Sequence, residues 1–253
     1  MIKSLQSYRE SIGFLRKHGL SWFLWFPLLI TILVFYLGFG LTSLATDTVT
    51  DLVNIWLDKL ELPEWTGFFG DVFYWLLWLL FRILLYFAFA FLGGSVILLL
   101  MAPVLTWLSE RVALALNKQV YPFTTTRFIN DLMRALTLAV KNGLIQLAMT
   151  IVCFLISFIP VIGAVAPLLL FVINAFYYGY NFMDYTLERK QLTVNESNAF
   201  VWKNKSTTLA LGTPFTLWML IPFIGPLSAG FIAIFATVAA TINLERGNHL
   251  PFR

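Results

Sequence analysis

Charge is the scarcest feature of this sequence. Asp, Glu, Lys and Arg make up 12% of its 253 residues, about half the share of an ordinary soluble domain. None of them falls in the forty residues from 144 to 183, so that stretch is written for hydrocarbon and not for water. Cysteine occurs once, at Cys153 inside an apolar run, which excludes an intrachain disulfide and leaves a small residue that is buried or lipid-facing. Histidine occurs twice, at His18 and His249 near the two ends. No paired-histidine, zinc, phosphate-loop or serine-nucleophile pattern accompanies them, so neither an enzyme nor an ATP-driven pump is expected, and no metal or cofactor.

Apolar residues fill the space that charge leaves. They account for 59% of the chain, with a mean hydropathy of +0.81, and the class is an all-α integral membrane protein. The formal charge of +4 is a topology signal rather than a sign of nucleic acid, because no basic and aromatic platform of a soluble domain is present.

Taken in order, residues 1–19 carry Lys3, Arg9, Arg16 and Lys17 with Leu5, Tyr8, Ile12 and Leu15 at helical spacing, the pattern of an interfacial segment. Residues 20–44 are uncharged and long enough to span once, with Trp22 and Trp25 placed for an interfacial belt. This run is too long for a signal core and reads as a retained span. Residues 45–71 hold Asp47, Asp51, Asp58, Glu61, Glu64 and Asp71 against a single base, Lys59. Such scarcity of Lys and Arg predicts the noncytoplasmic side. Residues 72–109 form a long second span, apolar but for Arg82, with Gly93-Gly94 as a flexible or close-packing point. Arg82 either snorkels or pairs within the bundle, or meets an anion in a pore.

Residues 110–143 return to basic chemistry, with Arg127, Arg134 and Lys141 seven apart. That spacing predicts a surface helix whose polar face meets cytosol or anionic lipid, or else forms a basic vestibule for an anionic substrate. Glu110 and Arg111 begin the region and Asp184 ends the uncharged run, so these three are candidates for an ion-pair network or for a permeation path.

Two segments then share one design. Residues 144–187 are broken at Pro160, Gly163 and Pro167, and residues 207–243 at Pro222, Gly225 and Pro226. Proline removes an amide donor and crowds the preceding turn, so each run is expected to fold back as a helical hairpin. Ile221-Pro222-Phe223-Ile224-Gly225 mirrors Ile159-Pro160-Val161-Ile162-Gly163, and Leu244-Glu245-Arg246 mirrors Leu187-Glu188-Arg189, which is an internal repeat. The arms of the second hairpin are short, so partial penetration is expected. Residues 188–206 connect the pair and 244–253 form a tail. Of seventeen Lys and Arg, only Lys59 and Arg82 lie outside the N-terminal, central, connecting and tail segments, which predicts cytoplasmic N and C termini and one helical membrane domain over 1–253. Exposed backbone at the Pro-Gly tips needs burial or water, which favours a homo-oligomer or a substrate path.

The order Phe158-Ile159-Pro160-Val161-Ile162-Gly163, Ala166-Pro167 and Asp184-Tyr185, with Ala102-Pro103, Leu108-Ser109-Glu110 and Ile221-Pro222, resembles the CysZ sulfate permeases and the related etoposide-induced tumour-suppressor domain. The resemblance covers almost the whole chain. It implies two long transmembrane helices, two partly inserted hairpins, an oligomer in a bacterial inner membrane, and sulfate uptake that feeds cysteine synthesis. It also implies an anion site where the family carries a Gly-hydrophobic-Arg-Arg segment. Here those positions read Gly19-Leu20-Ser21-Trp22, so the candidate anion-binding set is Arg16, Lys17, His18 and the backbone of Gly19, Leu20 and Ser21. The alternative is a membrane scaffold that uses the same hairpins to bind partners.

Overall fold

The computed structural model describes residues 2–59, 67–117, 125–159 and 163–247. Glu61, Glu64, Lys118, Pro160 and His249 lie outside them. Eight α-helices are formed among the described residues: α1 (Ile2–Lys17), α2 (Trp25–Lys59), α3 (Gly67–Asn117), α4 (Thr125–Ser157), α5 (Ala166–Arg189), α6 (Val194–Lys203), α7 (Lys205–Met219) and α8 (Ile224–Arg246). Five helical stretches among these residues are long and apolar enough to cross a membrane, and they lie in α2, α3, α4, α5 and α8. The fold is therefore all-α and multi-spanning.

Length follows from composition. At 1.5 Å per residue, α3 with its 51 residues is about 76 Å long, well beyond a hydrocarbon core of about 30 Å. It runs without interruption through Gly93-Gly94 and past Pro103. Of the two roles open to Gly93-Gly94, Gly94 takes close packing: a Cβ there would lie 3.1 Å from Cα of Pro226. Two hydroxyls inside α2 are satisfied within the helix, Thr42 donating to the Gly38 carbonyl and Thr46 to the Thr42 carbonyl, each at 2.7 Å. Tyr36, Leu41 and Leu44 point outward, as side chains do when lipid is the solvent.

The core is α8. From Ala233 to Ile242 almost every side chain is buried, and four of them are alanine. Small residues let backbones approach, which is how helices gain dispersion contacts in lipid. α8 packs on α3, α1, α5 and α7. The face that α1 turns to the bundle is Ser4, Ser7, Ser11 and Leu15, whereas Leu5 and Ile12 stay exposed. Tyr8 donates to the Leu211 carbonyl of α7 at 2.5 Å, and burial pushes its phenol far above the usual range, so it remains a neutral donor.

The closest crossing joins α5 to α7. A Cβ on Gly179 would fall 1.9 Å from the Thr208 carbonyl oxygen, and one on Gly212 would fall 1.8 Å from that of Ala175. Ala175 and Gly179 are four apart on α5, as Thr208 and Gly212 are on α7, the small-residue spacing of tight membrane crossings.

Candidate functional site

The apolar run of α5 ends on Asp184, Glu188 and Arg189. Two carboxylates near a helix C-terminus meet the negative end of its dipole and need a cation. Arg134 of α4 supplies it: Nη2 donates to Oδ1 of Asp184 at 2.9 Å, and Nε lies 3.3 Å from Oδ2. The same guanidinium donates to Ser197 at 2.8 Å and to the Leu192 carbonyl, and stands 3.8 Å from Glu188. Burial works against its charge, but the hydrogen bonds and charge of Asp184, with Glu188, hold its pKa above the ordinary value. Arg134 thus faces the bundle, where spacing alone predicts a surface position.

Its partners are held by a tight turn. Gln191, at a φ of 61°, closes α5: its amide donates to the Glu188 carbonyl, and the Leu192 amide donates to that of Leu187. Thr193 then opens α6 in a capping box with Glu196.

A second cluster lies at the same end of the bundle. Arg189 is buried, pairs with Glu245 of α8, and donates to the Ser109 carbonyl at 2.5 Å and hydroxyl at 3.0 Å. Lys190 at 3.2 Å and Asn117 at 2.7 Å also reach Glu245. The hydroxyls of Ser109, Thr186 and Thr241 join one another at 3.1 to 3.4 Å between α3, α5 and α8. Arg246 meets Glu10 of α1 at 2.5 Å.

Between α3, α4 and α5 a cleft of about 180 Å³ runs from Asp184 and Glu188 into the apolar spans, and Asn142, Gln146, Tyr178, Asn181 and Tyr185 contribute to its lining. Asn142 donates to Asn181 at 2.9 Å. Polar groups at membrane depth are costly unless they face a cavity or one another, and they mark solute paths.

The second candidate area is the turn from α1 into α2. Gly19 has a φ of +66°, a conformation that glycine adopts without Cβ strain. Its amide donates to Arg16 and that of Leu20 to Leu15, at 3.4 and 2.8 Å, which closes α1 in a Schellman motif. These two N–H groups are used in the cap. Ser21 and Trp22 begin the following 3₁₀ turn, Ser21–Leu24, where leading amides lack helical acceptors. Arg16, Lys17, His18 and Ser21 are exposed and Leu20 is buried.

The other sequence candidates are dispersed. Arg82 lies over the Trp78 ring at 4.7 Å, Glu110 is half-buried, and Arg111 is 5.8 Å from the Trp107 ring centre. Asp184 alone among the pore candidates lines the cleft. At the tips, Gly163 donates to Ile159 at 2.8 Å and Gly225 to Ile221 at 2.9 Å, the same turn bond in both copies of the repeat. Arg134, Arg189 and Glu245 are visible in the sequence only as a basic spacing and a repeat, with nothing that pairs Arg134 with Asp184 or Arg189 with Glu245. The repeated Leu-Glu-Arg triplet was the available signal for the last two.

These contacts define a multi-pass helical membrane protein with a polar cleft among its spans and buried ion pairs at one end. The family described as "Sulfate transporter CysZ/Etoposide-induced protein 2.4" matches residues 7–229, and the chain belongs to that family. It is similar to the sulfate transporter CysZ of Pseudomonas fluorescens (strain Pf0-1), 26% identical over 223 residues, with 87% of this chain and 85% of the relative covered. CysZ of Pseudomonas paraeruginosa is 24% identical over 221 residues, covering 85% of each. CysZ of Pectobacterium atrosepticum is 25% identical over 210 residues, covering 81% and 72%.

Proposed function

We propose that this protein is a permease for a small oxyanion, with sulfate as the substrate, and that it serves cysteine biosynthesis from a bacterial inner membrane. The observation that carries the reading is the family match over residues 7–229 of a multi-spanning helical chain. The named relatives are bacterial sulfate transporters, and sulfate comes to this chain from them. The cleft adds a physical reason. Its middle offers neutral amide and phenol groups, Asn142, Gln146, Asn181 and Tyr178, which donate hydrogen bonds to an oxyanion without trapping it by charge. Asp184 at one end is matched by Arg134, which lowers the repulsion an anion meets there. The turn of Arg16, Lys17, His18 and Ser21 forms the mouth, with the leading amides of the 3₁₀ turn at Ser21 and Trp22.

In this arrangement α2 and α3 cross completely, and α4 with α5 and α7 with α8 are two hairpins entering from the cytoplasmic side. α7, at 15 residues and about 22 Å, is shorter than the hydrocarbon core. The exposed apolar side of α4, including Leu144, Leu147, Ile151 and Phe154, faces lipid or a second copy in a homo-oligomer. Labelled sulfate uptake into liposomes containing the purified protein tests the reading: uptake no faster than into empty liposomes contradicts it.

A further inference from the structure

α5 and α8 end on the same Leu-Glu-Arg triplet, which gives the two helices a common register. Counted back from it, Tyr178, Asn181 and Tyr185 of α5 correspond to Phe235, Val238 and Ile242 of α8. Val238 and Ile242 are buried in the apolar core, and Phe235 packs against it. A hairpin arm of this design therefore folds with hydrocarbon at all three places, so the amide and the two phenols of α5 are not a requirement of the hairpin. They share one face of α5, and that face lines the cleft of about 180 Å³ together with Asn142 and Gln146 of α4. A single water needs only about 15 Å³ of such space, so the cleft admits a solute.

Asn142 is almost fully buried. Its Nδ2 donates to Oδ1 of Asn181 at 2.9 Å, which commits the Asn181 carbonyl and leaves its NH₂ group for the cleft. The phenol hydroxyls and the Gln146 amide can rotate to suit a ligand, whereas Asn181 is held as a donor. The carboxylate one turn further on, Asp184, is tied to Arg134 at 2.9 Å.

We infer that Asn181 is a specificity-determining binding residue for the transported oxyanion, and that Asn142 is the residue that positions it. The inference deepens the transport reading and rests on it. The substrate class is a fully ionised tetrahedral oxyanion such as sulfate. Every oxygen of that ion accepts hydrogen bonds, so a fixed NH₂ group between two phenols serves it. A phosphate keeps an O–H at neutral pH and has to place that donor as well, where the Asn181 carbonyl is already taken. Polar groups left unpaired on binding are what make such a site discriminate.

The test is calorimetric titration of sulfate and, separately, of phosphate into the purified protein in nanodiscs, with flux of both ions in liposomes. The wild-type protein is expected to bind sulfate more tightly than phosphate. Asn181→Leu is expected to weaken sulfate binding about tenfold, the worth of one hydrogen bond to a charged acceptor. Asn142→Ala frees the Asn181 amide to turn and is expected to lower the ratio of sulfate to phosphate affinity about tenfold. That ratio does not depend on the fraction of protein folded, so lost stability cannot imitate the effect. A wild-type protein that binds no sulfate or prefers phosphate overturns the inference, as does an Asn142→Ala variant with the wild-type ratio. Binding that follows these dependences without any flux upholds this inference and removes the transport reading. Sulfate flux and binding that neither variant alters keep the transport reading and overturn this inference.

Discussion

Arg189 and Glu245 occupy neighbouring places in two copies of one Leu-Glu-Arg triplet, yet they pair with each other across the repeat, α5 to α8. The pair is almost fully buried and shares a cluster with Ser109, Lys190 and Asn117. Removing one partner of a buried pair strands the other charge. Arg189→Met is therefore expected to cost about 3 to 5 kcal/mol, and Glu245→Gln in the same chain to return part of it. Thermal melts of the two single variants and the double variant in detergent measure the coupling, and strictly additive losses contradict it.

Arg134 ties α4 to α5 and α6 through Asp184, Ser197 and Leu192. Arg134→Leu leaves the Asp184 carboxylate buried without its fork. A loss of about 3 to 5 kcal/mol is expected, with Arg134→Lys intermediate because an ammonium cannot reproduce bidentate geometry. Equal stability of the Lys and Leu variants contradicts the assignment.

The α5–α7 crossing predicts opposite signs for the same substitution at different glycines. Gly179→Ala and Gly212→Ala place a methyl within 2 Å of a facing carbonyl and are expected to destabilise by about 1 to 3 kcal/mol or more. Gly13→Ala in α1 meets nothing within 4 Å and gains about 0.5 to 1 kcal/mol of helix propensity. Melting temperatures that move in the same direction for all three refute the close crossing.

At the end of α5, Gln191 holds a left-handed backbone. Gln191→Gly is expected to stabilise by about 1 kcal/mol through relief of Cβ strain, while Thr193→Ala loses the capping box and costs about 1 kcal/mol. Denaturant titrations of the two variants read the opposed shifts.

Much of this was legible in the sequence, for identifiable reasons. The uncharged run of 144–183 forces an apolar environment, and the repeated Ile-Pro-x-Ile-Gly elements show up as matching turn bonds at Gly163 and Gly225. What was not legible is tertiary. Arg134 and Asp184 lie fifty residues apart, and seven-residue spacing with Arg127 and Lys141 gives no hint that the Arg134 guanidinium turns inward. The repeat exposes Leu-Glu-Arg twice without saying that Arg189 answers Glu245 rather than Glu188. Gly19 read as backbone for an anion, and the structure gives its amide to a helix cap.

The central claim is transport of sulfate, and the most direct measurement is labelled sulfate entering liposomes that contain the purified protein, compared with empty liposomes and with a Lys17→Ala variant. Protein-dependent uptake that is reduced in the variant is the predicted result. Retained uptake in Lys17→Ala removes that residue from the mouth and leaves the claim intact. Uptake indistinguishable from empty liposomes contradicts it.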